Sequence, residues 1–465
     1  MQAIEFPYLI FKAYDIRGIV GVDWDAYWAR KIGQAIGTLL HEKGLSRCVI
    51  GRDGRLSGLE LMQALIEGVC SAGIDVSNIG CAATPAGYFA GYELKADAVL
   101  VVTASHNSAP YNGIKMVIEN RALAGEDIQD LKDRVHAERF FVADTEGRCE
   151  LIDIHPSYKE RIVNTVRVHR RMRVAIDCGN GIMALHAPDV LRTLGVDVVP
   201  LYCTLDGAFP NHEPDPSREE NVVDLRQVVL ESGCELGLAF DGDGDRLVVM
   251  TRDGVVIDAD RLLMLFSNEI LKEHPEGRIV YDVKCTRALV PWVKARGGVP
   301  VLARTGHSFI KAAMREVGGC LGGEMSGHLF FADRWYGFDD GLYAAARLLE
   351  LLSAEDDPSA VLHALPKMLN TPEIHWRFES DTQAHTIMSR IAEEANFPKA
   401  DHIHRIDGLR VEYPRGFGLI RASNTSPLIV LRFEGDTADA LAEVQADFNV
   451  EIKRICGNDV LVPRL

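Results

Sequence analysis

The sequence predicts three α/β units followed by a smaller α+β domain. Apolar, buried-looking strands recur along the first three-quarters, each running into a polar loop. They are "RCVIGRDGR" (47–55), "ADAVLVVTASHN" (96–107), "RVAIDCGNG" (173–181), "LGLAFDGDGDR" (236–246) and "RIVYDVKCTR" (278–287). Helix-period segments alternate with them, and continuous apolar strands between helices indicate sheets covered on both faces, of the parallel kind. The last hundred residues change pattern.

The first unit spans 1–150. Its short apolar run, 47–55, ends in charge and leads into a helical stretch with Leu59, Met62, Leu65, Ile66 and Val69 at helix spacing. The second spans 151–255 and opens on the turn-rich "LIDIHPSY". The third spans 256–367, between "TRDGVVIDAD" and the stretch that "DDPS" introduces. In 368–465, "GFGLIRASNTSPLIVLRFEG" (416–435) reads as two strands around a polar turn. "DALAEVQADFNVEIKRI" (439–455) carries Leu441, Val444, Phe448 and Ile452 on one helical face. A chain of 465 residues suits three to four domains at about 100–200 residues each.

Composition excludes several classes. With 47% hydrophobic and 25% charged residues the chain has a soluble balance, and no apolar run approaches the roughly 18 residues of a spanning helix. The start, "MQAIEFPYLIFKAYDIRG", has Glu5 in its apolar part and lacks a basic lead, unlike a signal peptide. Ten cysteines without a CxxC pair suggest neither a zinc ribbon nor a disulfide framework. The expected place is the cytoplasm, with reduced thiols. A net charge of -17 argues against a nucleic-acid or membrane-surface binder. An anionic substrate then needs a local cluster of Lys, Arg and backbone N–H groups, or a metal.

Four loops carry chemistry. In "DGDGDR" (241–246) three carboxylates stand at alternate positions with only glycine between them. Like charges this close repel unless a cation sits among them, and the glycines let the backbone curl so that Asp241, Asp243 and Asp245 converge. Oxygen ligands suit a hard cation. An EF-hand is ruled out, because Arg246 and Arg252 occupy the places of its glycine and glutamate; Mg²⁺ with a position open to a phosphoryl oxygen fits better. The bland alternative is a solvated acidic turn.

"TASHNSAPYNGIK" (103–115) sets Ser105 beside His106 at a strand's end, without a G-x-S-x-G elbow. Alone, this is equally a turn serine. Beside a metal it becomes a phosphoryl acceptor. "GGEMSGH" (322–328) puts Glu324, Ser326 and His328 on one side if the segment is extended. A carboxylate and a hydroxyl suit sugar hydroxyls, and a histidine suits proton transfer; an ordinary loop is the alternative. "RASNTSP" (421–427) offers Arg421, Ser423, Asn424 and Thr425 as a phosphate cradle without Walker glycines, or else a polar hairpin turn. Together these are a nucleophile, a cation site, a polyol reader and a second phosphate grip. A phosphatase has no use for the second grip, whereas an enzyme that moves phosphate between two ends of one sugar does.

In this order the four loops resemble those of the α-D-phosphohexomutases, most of all the bacterial phosphomannomutase/phosphoglucomutase branch, from "KAYDIRG" (12–18) to "RASNTSP". The resemblance implies four domains around a central cleft, three of them related α/β units with mixed sheets. It implies Ser105 as the phosphorylated serine, itself beside the metal, with Asp241, Asp243 and Asp245 as Mg²⁺ ligands. Glu324 and Ser326 would read the sugar's 3- and 4-hydroxyls, and Arg421, Ser423, Asn424 and Thr425 would hold the phosphate not being transferred. Tyr14, Arg17, His106, Lys115, Arg246, Lys284, His307 and His328 match further active-site positions, Lys115 and His328 as candidates for proton transfer. Glucose 1,6-bisphosphate would be an activator. The partner would be a small phosphosugar, the protein a monomer or weak dimer.

In the family Ser-His-Asn is usually followed by proline. Here Ser108 stands there and Pro110 follows two residues later. That removes one source of loop stiffness and adds a second hydroxyl. Phosphoglucosamine mutase shares all four loops; Met325, in "GEMSG", favours the mannose/glucose branch, since the glucosamine branch usually has glutamine there. A serine phosphatase and a non-catalytic sugar-phosphate sensor are the more distant readings.

Overall fold

The computed structural model describes residues 4–423 and 426–457. The chain divides into two compact units, Met1–Ala259 with Ser326–Ala364, and Asp260–Met325 with Leu365–Leu465.

The first unit holds two sheets. One has strand order Ile16–Ile19, Tyr111–Ile118, Ala98–Val102, Arg47–Arg52, Asp75–Cys81, Cys149–Leu151. Its middle is parallel, as the apolar runs suggest, but Tyr111–Ile118 returns antiparallel to Ala98–Val102 and carries Ile16–Ile19 antiparallel on its far side. The sheet is therefore mixed. A return this short leaves no room for the crossover helix that a parallel neighbour needs. Helices Ala26–Glu42 and Gly58–Cys70 pack against one another and against this sheet's core of Ile50, Leu100, Val102 and Ile114. They meet at Gly33 and Gly68, where a Cβ would lie 2.4 Å and 2.2 Å from carbonyl oxygens of the facing helix. Leu61 rather than Leu59 faces this core; Leu59 is 48% exposed, so the apolar stripe starts two residues later than its spacing suggests.

The other sheet runs Val256–Ile257, Leu247–Thr251, Leu236–Phe240, Arg173–Asp177, Asp197–Leu201. The last three strands are parallel, and Leu247–Thr251 pairs antiparallel with Leu236–Phe240. Both chemical loops of this unit, 103–110 and 241–246, are thus hairpin connections at the carboxyl end of a buried strand, not strand-to-helix turns.

In the second unit, Val299–Ala303, Arg278–Asp282 and Leu321–Gly323 are parallel. A separate antiparallel sheet orders Leu369–Asn370, Leu428–Gly435, Gly416–Ala422, Leu409–Tyr413 and His402–His404. Helices Asp381–Glu394 and Ala438–Cys456 cover it through Met388, Ile391, Val444, Phe448 and Ile452. The expected helical face is present, with Leu441 partly buried at its edge. The α+β character of the last hundred residues follows from this one-sided cover.

Candidate active site

The hairpin 103–110 holds Ser105 in an unusual backbone conformation. Its φ is +51°, in the left-handed region that costs a non-glycine residue about 1–3 kcal/mol and persists only when surroundings enforce it. Ser105 is 2% exposed. Its N–H donates to Thr103 Oγ1 at 2.9 Å. Its hydroxyl donates to Asp241 Oδ2 at 2.9 Å and lies 3.1 Å from His106 Nδ1. Desolvation, then the charges of Arg246 and Arg17, hold the His106 imidazole well below its ordinary pKa.

The "DGDGDR" turn faces this serine. Asp241, Asp243 and Asp245 are all fully buried, which excludes a solvated acidic turn. Their carboxylate oxygens lie within 4.8 Å of one another. Asp241 Oδ1 accepts from the N–H of Gly244 (3.0 Å) and Arg246 (3.2 Å), which aims Oδ2 at Ser105. Asp243 Oδ2 accepts from Thr84 Oγ1 at 2.6 Å and Lys115 Nζ at 2.7 Å, and Lys115 also reaches Asp245 at 2.5 Å. Asp243 Oδ1 is buried with no partner among the described residues. Burial first, then the like charges of Asp245 and Asp243, push the Asp241 carboxyl well above its usual range. A divalent cation relieves that repulsion and gives the orphaned oxygen a partner, so these residues fit one. Burial alone would lower the Lys115 ammonium, but Asp243 and Asp245 outweigh it and hold its pKa well above the ordinary value. Gly242 lets the two loops meet: a Cβ there would stand 2.4 Å from the Ser105 carbonyl oxygen.

Around this centre the first unit gathers most of the other expected residues. His328 Nε2 is 3.2 Å from Asp245 Oδ1 and 3.3 Å from Arg246 Nε, and its Nδ1 is 2.9 Å from Ser326 Oγ. Arg17 donates to Asn107 Oδ1 at 2.7 Å and to Asp15 at 2.5 Å, tying the first strand to the serine hairpin. Tyr14 lies close enough to act on the Arg17 charge.

The second unit assembles a separate group. Glu324 follows the strand Leu321–Gly323 and accepts from the Gly306 N–H at 2.5 Å, beside His307 at the head of helix His307–Val317. The segment then turns at 325–327, with Gly327 at φ +98°. The alternation expected for Glu324, Ser326 and His328 therefore does not hold, because an extended backbone is what it requires. His307 Nδ1 is 3.1 Å from Lys311 Nζ, and Lys284 pairs with Glu373 at 2.7 Å. Arg421 is 3% exposed and donates from Nε to Asp407 Oδ2 at 2.9 Å. The same Asp407 oxygen accepts from the Thr305 N–H at 3.0 Å. The Ser423 N–H closes the hairpin on Leu428. Asn424 and Thr425 lie outside the described residues.

Four family models match consecutive stretches of the chain. They are the phosphoglucomutase/phosphomannomutase alpha/beta/alpha domains I (8–141), II (156–254) and III (258–369) and the C-terminal domain (372–450). The chain belongs to the phosphoglucomutase/phosphomannomutase family. Relatives include a phosphoglucomutase of Neisseria meningitidis, 48% identical over 96% of both chains. A phosphomannomutase/phosphoglucomutase of Pseudomonas aeruginosa is 45% identical over 98% of this chain and 97% of that one. A solved structure of a phosphoglucomutase/phosphomannomutase family protein from Burkholderia thailandensis superposes with a TM-score of 0.93 at 46% identity, covering 98% of this chain and 99% of that one.

Several residues that shape this family site escaped the sequence reading. Thr84 braces Asp243, Asp407 orients Arg421, and Arg55 lies buried beneath the serine hairpin, paired with Asp53 at 3.1 Å. "GRDGR" is visible as charge after a strand, but nothing in its spacing says that Arg55 turns inward. Met325 presents its N–H 3.4 Å from Asp282 Oδ1.

Proposed function

We propose that this protein is a phosphosugar mutase that interconverts hexose 1-phosphate and hexose 6-phosphate, of mannose, glucose or both. The observation that carries the reading is the Ser105 hydroxyl donating to Asp241 inside a fully buried carboxylate triplet that Lys115 also enters. A nucleophile, an oxygen-only cation site and a fixed ammonium are what phosphoryl transfer uses. The names of the Neisseria and Pseudomonas relatives support the same reading.

In the proposed cycle the resting protein carries phosphoserine at Ser105. Its phosphoryl group passes to the free hydroxyl of a sugar monophosphate, giving a 1,6-bisphosphosugar. The intermediate reorients, and its other phosphate returns to the Ser105 oxygen. Mg²⁺ held by Asp241, Asp243, Asp245 and the serine oxygen would offset charge on the moving group. Lys115 adds a positive charge at Asp243 and Asp245. His106 contacts the serine oxygen, while His328, fixed between Ser326 and Arg246, is a candidate to move a proton at Nε2. Tyr14 and Arg17 bind from the first strand's side. Glu324 and Ser326 read sugar hydroxyls, Arg421, Ser423, Asn424 and Thr425 hold the distal phosphate, and Lys284 and His307 are further substrate-binding residues. In this reading 1–150 supplies the phosphoserine loop, 151–255 the metal loop, 256–367 the sugar loop and 368–465 the phosphate loop. Glucose 1,6-bisphosphate acts as activator by rephosphorylating Ser105, and the protein works in the cytoplasm as a monomer or weak dimer.

A coupled assay on mannose 1-phosphate, glucose 1-phosphate and glucosamine 1-phosphate in parallel tests the reading, together with mass spectrometry of the Ser105 peptide. Isomerisation of the first two, with a phosphorylated Ser105, is expected. Preference for glucosamine 1-phosphate selects phosphoglucosamine mutase. Phosphate release without isomerisation selects a phosphatase, and binding without either reaction selects a sensor.

A further inference from the structure

We propose that Arg55 is a positioning residue for the nucleophile: its guanidinium fixes the Ser105 backbone against the metal loop, and so sets where the serine oxygen stands for transfer. The proposal rests on the reading of Ser105 as the phosphorylated residue.

Arginine has five N–H donors, and at Arg55 all five are used. Nε donates to Asp53 Oδ2 at 3.1 Å. Nη1 donates to the carbonyls of Ser108 (2.8 Å) and Tyr111 (2.9 Å). Nη2 donates to the carbonyls of Ser105 (2.8 Å) and Asn107 (2.5 Å). Four carbonyls of one hairpin, starting with that of the nucleophile, thus converge on one buried side chain, itself 1% exposed. The Ser105 N–H is tied to the same network. It donates to Thr103 Oγ1, that hydroxyl donates to Asp53 Oδ2 at 2.7 Å, and Asp53 holds Arg55. A closed ring of bonds therefore runs through both the N–H and the C=O of Ser105.

Two features make this more than a buried ion pair. Ser105 sits at φ +51°, a conformation that an unrestrained serine leaves. Holding both its peptide groups keeps it there. The carbonyl that Arg55 grips is also the one that Gly242 of the metal loop approaches, 2.4 Å from where a Cβ would be. The guanidinium therefore registers the serine hairpin against the carboxylate loop. Lysine cannot replace it, since an ammonium is a single point with three donors.

The test is single-turnover transfer from glucose 1,6-bisphosphate to dephosphorylated full-length protein, with KM for glucose 1-phosphate and thermal melting measured alongside. Arg55→Lys is expected to slow transfer about a hundredfold, the cost of roughly 1 Å misplacement, with KM within about threefold. Thr103→Val cuts the ring at its other side and is expected to slow transfer by about tenfold or more at a melting temperature near wild type. Thr103→Ser, which keeps the hydroxyl, is expected to restore most of that loss. Wild-type transfer rates in folded Arg55→Lys or in Thr103→Val overturn the proposal, as does equal loss in Thr103→Ser and Thr103→Val. If Arg55→Lys does not fold, the two Thr103 variants decide. Wild-type protein that takes up no phosphoryl group refutes the mutase reading, and the proposal with it.

Discussion

Arg421→Ala separates a mutase from a phosphatase. Arg421 is buried, its Nε is fixed by Asp407, and its Nη2 is buried without a partner among the described residues. In the proposed function this guanidinium, next to the expected phosphate loop, donates to the distal phosphate. A charge-assisted hydrogen bond is worth about 1.5–3 kcal/mol, and each 1.4 kcal/mol is about a factor of ten. Loss of this contact is therefore expected to raise KM about ten- to a hundredfold. In the proposed cycle the same contact holds the intermediate while it turns, so the variant is also expected to release 1,6-bisphosphosugar, detectable by ³¹P NMR of the reaction mixture. Added glucose 1,6-bisphosphate is expected to restore part of the rate. Arg421→Lys keeps the charge but not the planar fork, and is expected to fall between the two. Asp407→Asn leaves Arg421 in place and loosens it, so a smaller KM rise is expected. Unchanged KM with no bisphosphate release in Arg421→Ala refutes the assignment of this turn as the phosphate grip.

Asp243→Asn removes the carboxylate bearing the orphaned oxygen. Its Mg²⁺ affinity, measured by titration calorimetry, is expected to fall by more than the about 10–100-fold typical of an outer ligand partner, and turnover with it; wild-type activity that survives excess EDTA removes the metal role altogether. Gly242→Ala drives a methyl group into the Ser105 carbonyl at 2.4 Å. Its kcat is expected to drop about tenfold or more with KM little changed, and an unaltered kcat means the loops do not need their close approach. His186 is 4% exposed, and burial followed by the His155 charge lowers its pKa from 6.5 to about 3. A depressed folded pKa gives stability that is present above the unfolded value and lost as pH falls from there toward 3. At pH 5 the loss is about 2 kcal/mol relative to pH 7.5. Urea unfolding is expected to show that loss in wild type and less of it in His186→Gln; parallel pH profiles of the two proteins contradict it.

The carboxylate triplet was legible because three aspartates on alternate positions are tolerable only around a cation, and the structure buries all three. The α/β character and the apolar face of the last helix were equally plain, since periodicity reports burial directly. Strand direction was not. Tyr111–Ile118 places Asn112 and Lys115 inside, and its polar residues hide a buried strand that turns back on its neighbour. Positioning residues were the least visible. Arg55, Thr84 and Asp407 act through contacts 14 to 159 residues away along the chain, and no local pattern marks such a partner. Glu324 and His328 were recognised by type, but the turn between them was not, because Gly327 permits both an extended and a left-handed backbone.

The division of the chain also orders its synthesis. The first unit comprises Met1–Ala259 and Ser326–Ala364, with Asp260–Met325 inserted between. A ribosome that has released residue 259 has supplied Ser105, Lys115 and all three aspartates, but not His328, Ser326 or the helix Gly341–Leu352. At about 5–20 residues per second, the nascent chain waits roughly 5–20 seconds before residue 364 emerges. For that interval the buried carboxylate turn lacks its histidine neighbour and the Tyr158 hydroxyl lacks its acceptor at Asp340. Fragments that end near residue 259 are consequently expected to be poor substitutes for the first unit, and a split-protein design has to keep residues 326–364 with the N-terminal piece.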